Sequence, residues 1–224
     1  MKGWKYGFLF VLAAALLTGI GALVLKGRHT PLIVLGVAAA ATVPFFVQYE
    51  KQHRPAIRLV LVGVMTALTV AGRLLFAPLP GFKPVSALTV LTALYLGPGA
   101  GFMTGALAAL LSNFFFGQGP WTPFQMLAWG LIGWLAGLLA EPLKRHRIWL
   151  AVYGAAAGIF YSLVLDLWTA VWLDGTFLPA RYLAALAASA PFTALYAGSN
   201  LIFLLVLCRP VDRIFTRLQQ KYDL

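Results

Sequence analysis

Leu59-Val60-Leu61-Val62-Gly63-Val64-Met65-Thr66-Ala67-Leu68-Thr69-Val70-Ala71-Gly72-Arg73-Leu74-Leu75-Phe76-Ala77 carries a single charge, near its end. A helix of about 20 such residues crosses a hydrocarbon core roughly 30 Å thick. Stretches of the same kind recur in both directions: Gly7–Leu25, Pro31–Val47, Val85–Leu96, Gly101–Phe116, Phe124–Ala140, Ile148–Leu173 and Tyr182–Leu207. Lipid tolerates no unpaired backbone, so each is expected to be helical. With 61% hydrophobic and 10% charged residues over 224 positions and a mean hydropathy of +0.86, the chain reads as an all-α integral membrane protein. The connecting segments are too short to bury a core of their own, which excludes a separate soluble domain.

Charge placement orients the spans. The net charge of +11 does not point to nucleic acid, because the basic residues lie between apolar segments, where they set topology. Placing the N-terminus inside puts Lys2, Lys5, Lys51, Arg54, Arg58, Lys144, Arg145, Arg147 and the basic residues from Arg209 to Lys221 on the cytoplasmic side. Only Lys26, Arg28, Arg73, Lys83 and Arg181 fall outside. Both termini are therefore expected in the cytoplasm. The first span has the charged start of a signal peptide but a long apolar core without a clear cleavage site, and is read as a retained anchor. Val85–Leu96 is too short to cross comfortably and lies between proline-glycine segments, which predicts a short or tilted helix entered by an ordered outer loop. Beyond Pro210, Val211, Ile214, Phe215, Leu218 and Tyr222 recur at helical spacing, and an amphipathic tail on the inner membrane surface is expected. Three segments result: a transmembrane hairpin over 1–50, a six-helix core over 51–208 and the tail over 209–224.

Polar chemistry concentrates in Ser112–Met126, a mixture of amides, aromatics, glycines and prolines between two apolar runs. Asn113 and Gln125 supply amide donors and acceptors, Trp121 and Trp129 flat faces with an indole N–H, and Gly117 and Gly119 close backbone approach. An outward-facing pocket for a planar polar organic molecule follows, although each tryptophan, with Trp168 and Trp172, also suits an interfacial belt. Asp166 is the one acid well inside a span, with Arg73 its expected partner and Tyr161, Ser162 and Thr169 adding hydrogen bonds. It admits two readings, a structural ion pair or a functional carboxylate. Gly63, Ala67 and Ala71 form a smooth stripe that lets another helix approach, as do Gly101, Gly105 and Ala109, and Gly130, Gly133 and Gly137. Cys208 has no partner for an internal disulfide, and His29, His53 and His146 sit apart in loops, so no metal site is expected. There is no phosphate-binding glycine loop, no metal-binding His/Glu pair and no nucleophile elbow. One deep carboxylate is too little for acid-base catalysis, and no enzyme is expected.

Phe82-Lys83-Pro84-Val85-Ser86-Ala87-Leu88, Leu96-Gly97-Pro98-Gly99-Ala100-Gly101, the Asn113–Met126 segment and Ala128-Trp129-Gly130 resemble the substrate-binding S component of energy-coupling factor vitamin importers. The resemblance covers roughly Leu59 to Leu207. It implies a prokaryotic cell-membrane subunit that captures a vitamin-like micronutrient outside the cell. That subunit would then associate with a membrane scaffold subunit and two ATPase subunits, the scaffold docking on Gly63, Ala67 and Ala71. The Gly-Gln-Gly-Pro-Trp-Thr-Pro stretch is most similar to cobalamin-type S components, and a corrinoid is the favoured ligand, with riboflavin, pantothenate or a deazapurine also compatible. No cofactor is implied. The candidate substrate contacts are Arg73, Phe82, Lys83, Asn113, Gln118, Trp121, Gln125, Trp129 and Asp166. An intramembrane or lipid-handling enzyme using Asp166 and a standalone secondary carrier are the alternatives, the latter disfavoured by the absence of a clear internal repeat.

Overall fold

The computed structural model describes residues 30–51 and 56–222, which form eight helices: α1 (Thr30–Lys51), α2 (Ala56–Leu75), α3 (Val85–Leu96), α4 (Pro98–Phe116), α5 (Thr122–Leu138), α6 (Ala140–Arg145), α7 (Arg147–Asp174) and α8 (Pro179–Tyr222). The expected span Gly7–Leu25 lies outside the described residues. By length and composition, α2, α4, α7 and α8 suffice to cross a membrane, and the expected spans within the described residues match the observed helices to within about four residues, except that α8 runs well past Leu207 to Tyr222.

α3 resolves the problem that its length posed. Twelve residues rise only about 18 Å, yet ten of the twelve are buried. It sits at the centre of the bundle between α2, α4, α5 and α8, so it is solvated by protein instead of spanning lipid. The turn to α4 passes through Gly97 at φ +91°, a left-handed conformation that favours glycine.

The two glycine stripes on α4 and α5 are partners. A Cβ added at Gly101 would come within 2.7 Å of the Gly133 carbonyl oxygen, and one at Gly105 within 2.9 Å of the Gly130 nitrogen. The backbones therefore touch directly, the close approach that small residues permit in membranes. The Gly63, Ala67 and Ala71 stripe behaves differently. All three residues are exposed, and nothing lies within 4 Å of a Cβ built at Gly63.

α1 lies against α4 and α5. Its Phe45 stacks on Phe102, with centroids 3.9 Å apart, and meets the edge of Trp134. At the other end of the chain, α8 runs on through Pro191 and Pro210 to Tyr222, so the expected last span and the expected tail form one continuous helix. The loss of a backbone hydrogen bond at Pro210 is offset by burial beyond it. Phe215 is 1% exposed and stacks on Tyr95 at 4.9 Å, while Val211 and Leu218 pack on the same cluster. Val211, Phe215 and Leu218 of the tail's apolar stripe thus face the bundle, while Ile214 and Tyr222 are exposed.

Overpacking a tight helix contact costs about 1–3 kcal/mol. Gly133→Val should therefore lower the thermal midpoint of the purified protein clearly, and Gly63→Ala should leave it unchanged or slightly raised. Equal losses in both variants would contradict the assignment of internal and outward stripes.

Candidate functional site

The site is built around Arg73 in the last turn of α2. One guanidinium nitrogen, Nη1, donates to Ser112 Oγ and, at 2.8 Å, to Asn113 Oδ1. Asn113 Nδ2 donates in turn to Thr122 Oγ1 and Gln125 Oε1, each at 2.8 Å. Gln125 Nε2 continues the chain to the Tyr161 hydroxyl at 3.0 Å. Asn113 is 1% exposed, and all its hydrogen-bonding capacity except one lone pair is used. It is consequently the fixed point that orients Arg73 on one side and Gln125 on the other.

Aromatic rings enclose the network. Trp129 stacks on Tyr161 with centroids 4.8 Å apart and planes 10° apart, and Tyr196 meets Tyr161 edge-on at 5.3 Å. The Arg73 guanidinium carbon lies 4.9 Å from the Trp129 ring centroid and 4.6 Å from that of Phe116, within cation–π range. Arg73, Trp129, Tyr161 and Tyr196 line a cavity of about 140 Å³ that opens to solvent. Among the described residues, the remaining guanidinium N–H groups of Arg73 have no acceptor. The wall therefore presents a cation with free donors next to a flat aromatic surface.

The loop between α2 and α3 forms the rim. The Lys83 N–H donates to Ser199 Oγ at 2.9 Å, and Ser199 Oγ donates back to the Lys83 carbonyl at 3.1 Å, which straps the loop to α8. Gly81, at φ +70°, fits against Leu195 and Tyr196. The Lys83 ammonium is 5.4 Å from the Phe116 ring centroid. Burial, and secondarily the nearby Arg73 charge, hold it below the usual lysine range, so it releases its proton more readily than a solvated lysine.

Residues 56–212 match the family described as the ECF-type riboflavin transporter, S component. The chain belongs to this family. This S component is accordingly a substrate-binding membrane subunit of an energy-coupling factor transporter, a multi-pass protein of a prokaryotic plasma membrane and not an enzyme. No curated protein and no solved structure matches it. The matched segment starts at Ala56, the first residue of α2, and so leaves α1 outside the family core.

Several sequence-predicted contacts of the S component do not reach the cavity. Asp166 is not paired with Arg73. It accepts from Ser189 Oγ at 2.5 Å and from Ser162 Oγ at 3.3 Å, and Ser162 and Thr193 hydroxyls lie 2.6 Å apart. Five residues separate Asp166 from the cavity-lining Tyr161, which turns its side chain by about 140° around α7 and aims it at α8. Its carboxylate is met by one hydroxyl from its own helix and one from α8, and among the described residues the salt bridge present is Arg181 with Asp174. Gln118 is exposed. Its Nε2 donates to the Leu110 carbonyl and its Oε1 accepts from Thr122, closing the turn after α4. Trp121 folds over Gly119 and stays 40% exposed. Phe82 packs with Phe76 and Phe203 beneath the loop. Trp168 joins Phe124 and Trp172 in a separate aromatic cluster.

Arg73, Lys83, Gln125 and Trp129 do line the cavity, and Asn113 stands directly behind them. Ser86, Tyr196 and Asn200 were not singled out as site residues. Tyr196 and Asn200 sit in the apolar run of α8, where their signal was only a polar atom at positions one helical turn apart.

Removing Asn113 leaves the donors and acceptors around it unpaired at a cost of about 1–3 kcal/mol. Asn113→Leu should lower the thermal midpoint accordingly, and Gln118→Ala should barely move it. Indistinguishable midpoints for the two variants would remove Asn113 from the centre of the network.

Proposed function

We propose that this S component captures a planar heteroaromatic vitamin of the flavin class. The observation that carries this reading is the stacked Trp129–Tyr161 wall beneath an arginine whose free donors face the cavity. A flavin ring system offers an extended π face for stacking and, along one edge, carbonyl oxygens suited to a guanidinium fork. Gln125, Ser86 and Asn200 supply neutral polar contacts around the same space. The family's printed substrate agrees with this chemistry. The cavity holds about 140 Å³ and opens to solvent, less than the roughly 300–1,000 Å³ of enclosed small-molecule sites, so a flavin would insert its ring system from the mouth and leave the rest of the molecule outside. The flavin is preferred to the corrinoid favoured from the sequence because the matching family is described by riboflavin.

The outward stripe on α2 supports a second part of the reading, in which the scaffold subunit of an energising module docks there. Gly63 also borders an apolar groove of about 710 Å³ between α1, α2 and α4, with Phe46, Tyr49 and Met103. A helix from a partner laid along Gly63, Ala67 and Ala71 would gain the close backbone contact that α4 and α5 already show.

Riboflavin added to the purified protein should quench tryptophan emission with a Kd of about 1 μM or tighter, equivalent to roughly −8 kcal/mol. Trp129→Ala should weaken binding at least about tenfold, and Trp121→Ala should not. Tight binding of cobalamin with no response to riboflavin would overturn the substrate assignment. Separately, Ala67→Leu or Ala71→Leu should abolish co-purification with the scaffold and ATPase subunits while leaving ligand affinity nearly unchanged. Full recovery of the complex with either variant would remove the stripe as the docking face.

A further inference from the structure

A second concavity, of about 120 Å³, lies at the end of the bundle opposite the Arg73 cavity. α3 connects the two, its first residues lining one and Leu91, Leu94 and Tyr95 the other. The chemistry at this end is that of an anion site. Lys144 from the end of α6, Arg147 from the start of α7 and Arg209 from α8 converge on an apolar floor that includes Leu94 and Leu150. Among the described residues none of these three cations has an ion-pair partner. The one carboxylate present, Asp212, accepts a hydrogen bond from the Tyr95 hydroxyl at 2.8 Å, and the Lys144 ammonium lies 5.6 Å from the Tyr95 ring centroid. Three cations against one carboxylate leave the concavity strongly positive.

Two further features agree. α7 has no side-chain cap at its start, so its first-turn N–H groups add positive potential beside Arg147. The next two residues, Ile148 and Trp149, are 78% and 58% exposed. An exposed aliphatic residue and an exposed indole next to a cation cluster are what the boundary between acyl chains and headgroups selects. The site is thus at headgroup depth, with donors for a phosphate and an apolar floor for the carbons that follow it.

We propose that the concavity formed by Lys144, Arg147 and Arg209 binds the phosphate of an anionic phospholipid headgroup, with the lipid's glycerol end resting on Leu94 and Leu150. The bound lipid tethers α6, α7 and α8 at this end of the bundle. This site is independent of the substrate assignment. The like-charge repulsion among the three cations is relieved when the phosphate binds, so the lipid stabilises the fold.

The test uses the full chain purified in neutral detergent and titrated with phosphatidylglycerol, phosphatidylcholine or inorganic phosphate. Thermal midpoint and lipid retention by native mass spectrometry are the readouts. Phosphatidylglycerol should raise the midpoint and be retained, whereas phosphatidylcholine and inorganic phosphate should do neither. Arg147→Gln, and the triple change Lys144→Gln, Arg147→Gln, Arg209→Gln, should cut phosphatidylglycerol retention, the triple by about tenfold or more, the scale expected for headgroup cations lost near a membrane surface. Arg213→Gln with Arg217→Gln, basic positions outside the concavity, should not. If the triple variant fails to fold, Arg147→Gln alone decides. Equal retention in Arg147→Gln and the unmodified protein, or equal effects of the two lipids, would overturn the proposal. So would a full response to inorganic phosphate, which would mark a free-anion site. Unchanged lipid retention together with lost assembly with the ATPase-bearing module would assign the cluster to a protein contact instead.

Discussion

Arg73 is a guanidinium near the end of a membrane-spanning helix, and the acceptors it finds are neutral groups alone. A cation in that position must find acceptors, because lipid offers none. Ser112 and Asn113 provide them, and the need to hold Asn113 in one orientation propagates through Gln125 to Tyr161. Each hydrogen bond polarises the next, and in a low-dielectric surround such a chain is rigid only when every member is paired. α2, α4, α5 and α7 are therefore locked together at one end by a single polar thread. Arg73 also lines the cavity, and among the described residues its remaining N–H groups have no acceptor.

Close packing sets the distances that this thread requires. Asn113 on α4 reaches Gln125 on α5 because the backbones of those helices touch at Gly101, Gly105, Gly130 and Gly133. A bulkier seam would move the two amides apart, and the arginine would lose its support. α7 and α8 repeat the device, with Gly154 and Gly158 against α8 and the Asn200 amide donating to the Gly154 carbonyl at 3.1 Å. Small residues inside the bundle thus position the polar network, whereas Gly63, Ala67 and Ala71 on α2 face outward.

The helices were legible because lipid imposes a length and a polarity that any apolar run must meet, and even the short Val85–Leu96 is delimited by Pro84 and Gly97. The polar network beside the cavity was legible where polarity was conspicuous: Asn113 and Gln125 stand out in an amide-bearing segment, and Arg73 is an isolated charge in an apolar run. The pairing of Arg73 with Asp166 was not, since opposite charges attract on paper whatever their helical phase, and the phase of α7 turns Asp166 toward Ser189. Gln118 and Trp121 belong to the same segment as Asn113 but serve the turn. Composition marks a polar segment without separating the residues that face the cavity from those that shape the loop. Tyr196 and Asn200 were hidden by the opposite effect, being scattered polar atoms in a run that reads as lipid-facing. Pro210 shows that local propensity loses to burial, here of Phe215 against Tyr95.

The most direct test is an experimental structure of the protein with riboflavin bound, at a resolution that defines side-chain hydrogen bonds. The account requires the ring system to lie against Trp129 and Tyr161 with a carbonyl oxygen within about 3 Å of an Arg73 nitrogen, and Asn113 still bridging Arg73 and Gln125. A ligand seated elsewhere, or an Arg73 side chain swung over to Asp166, would contradict it.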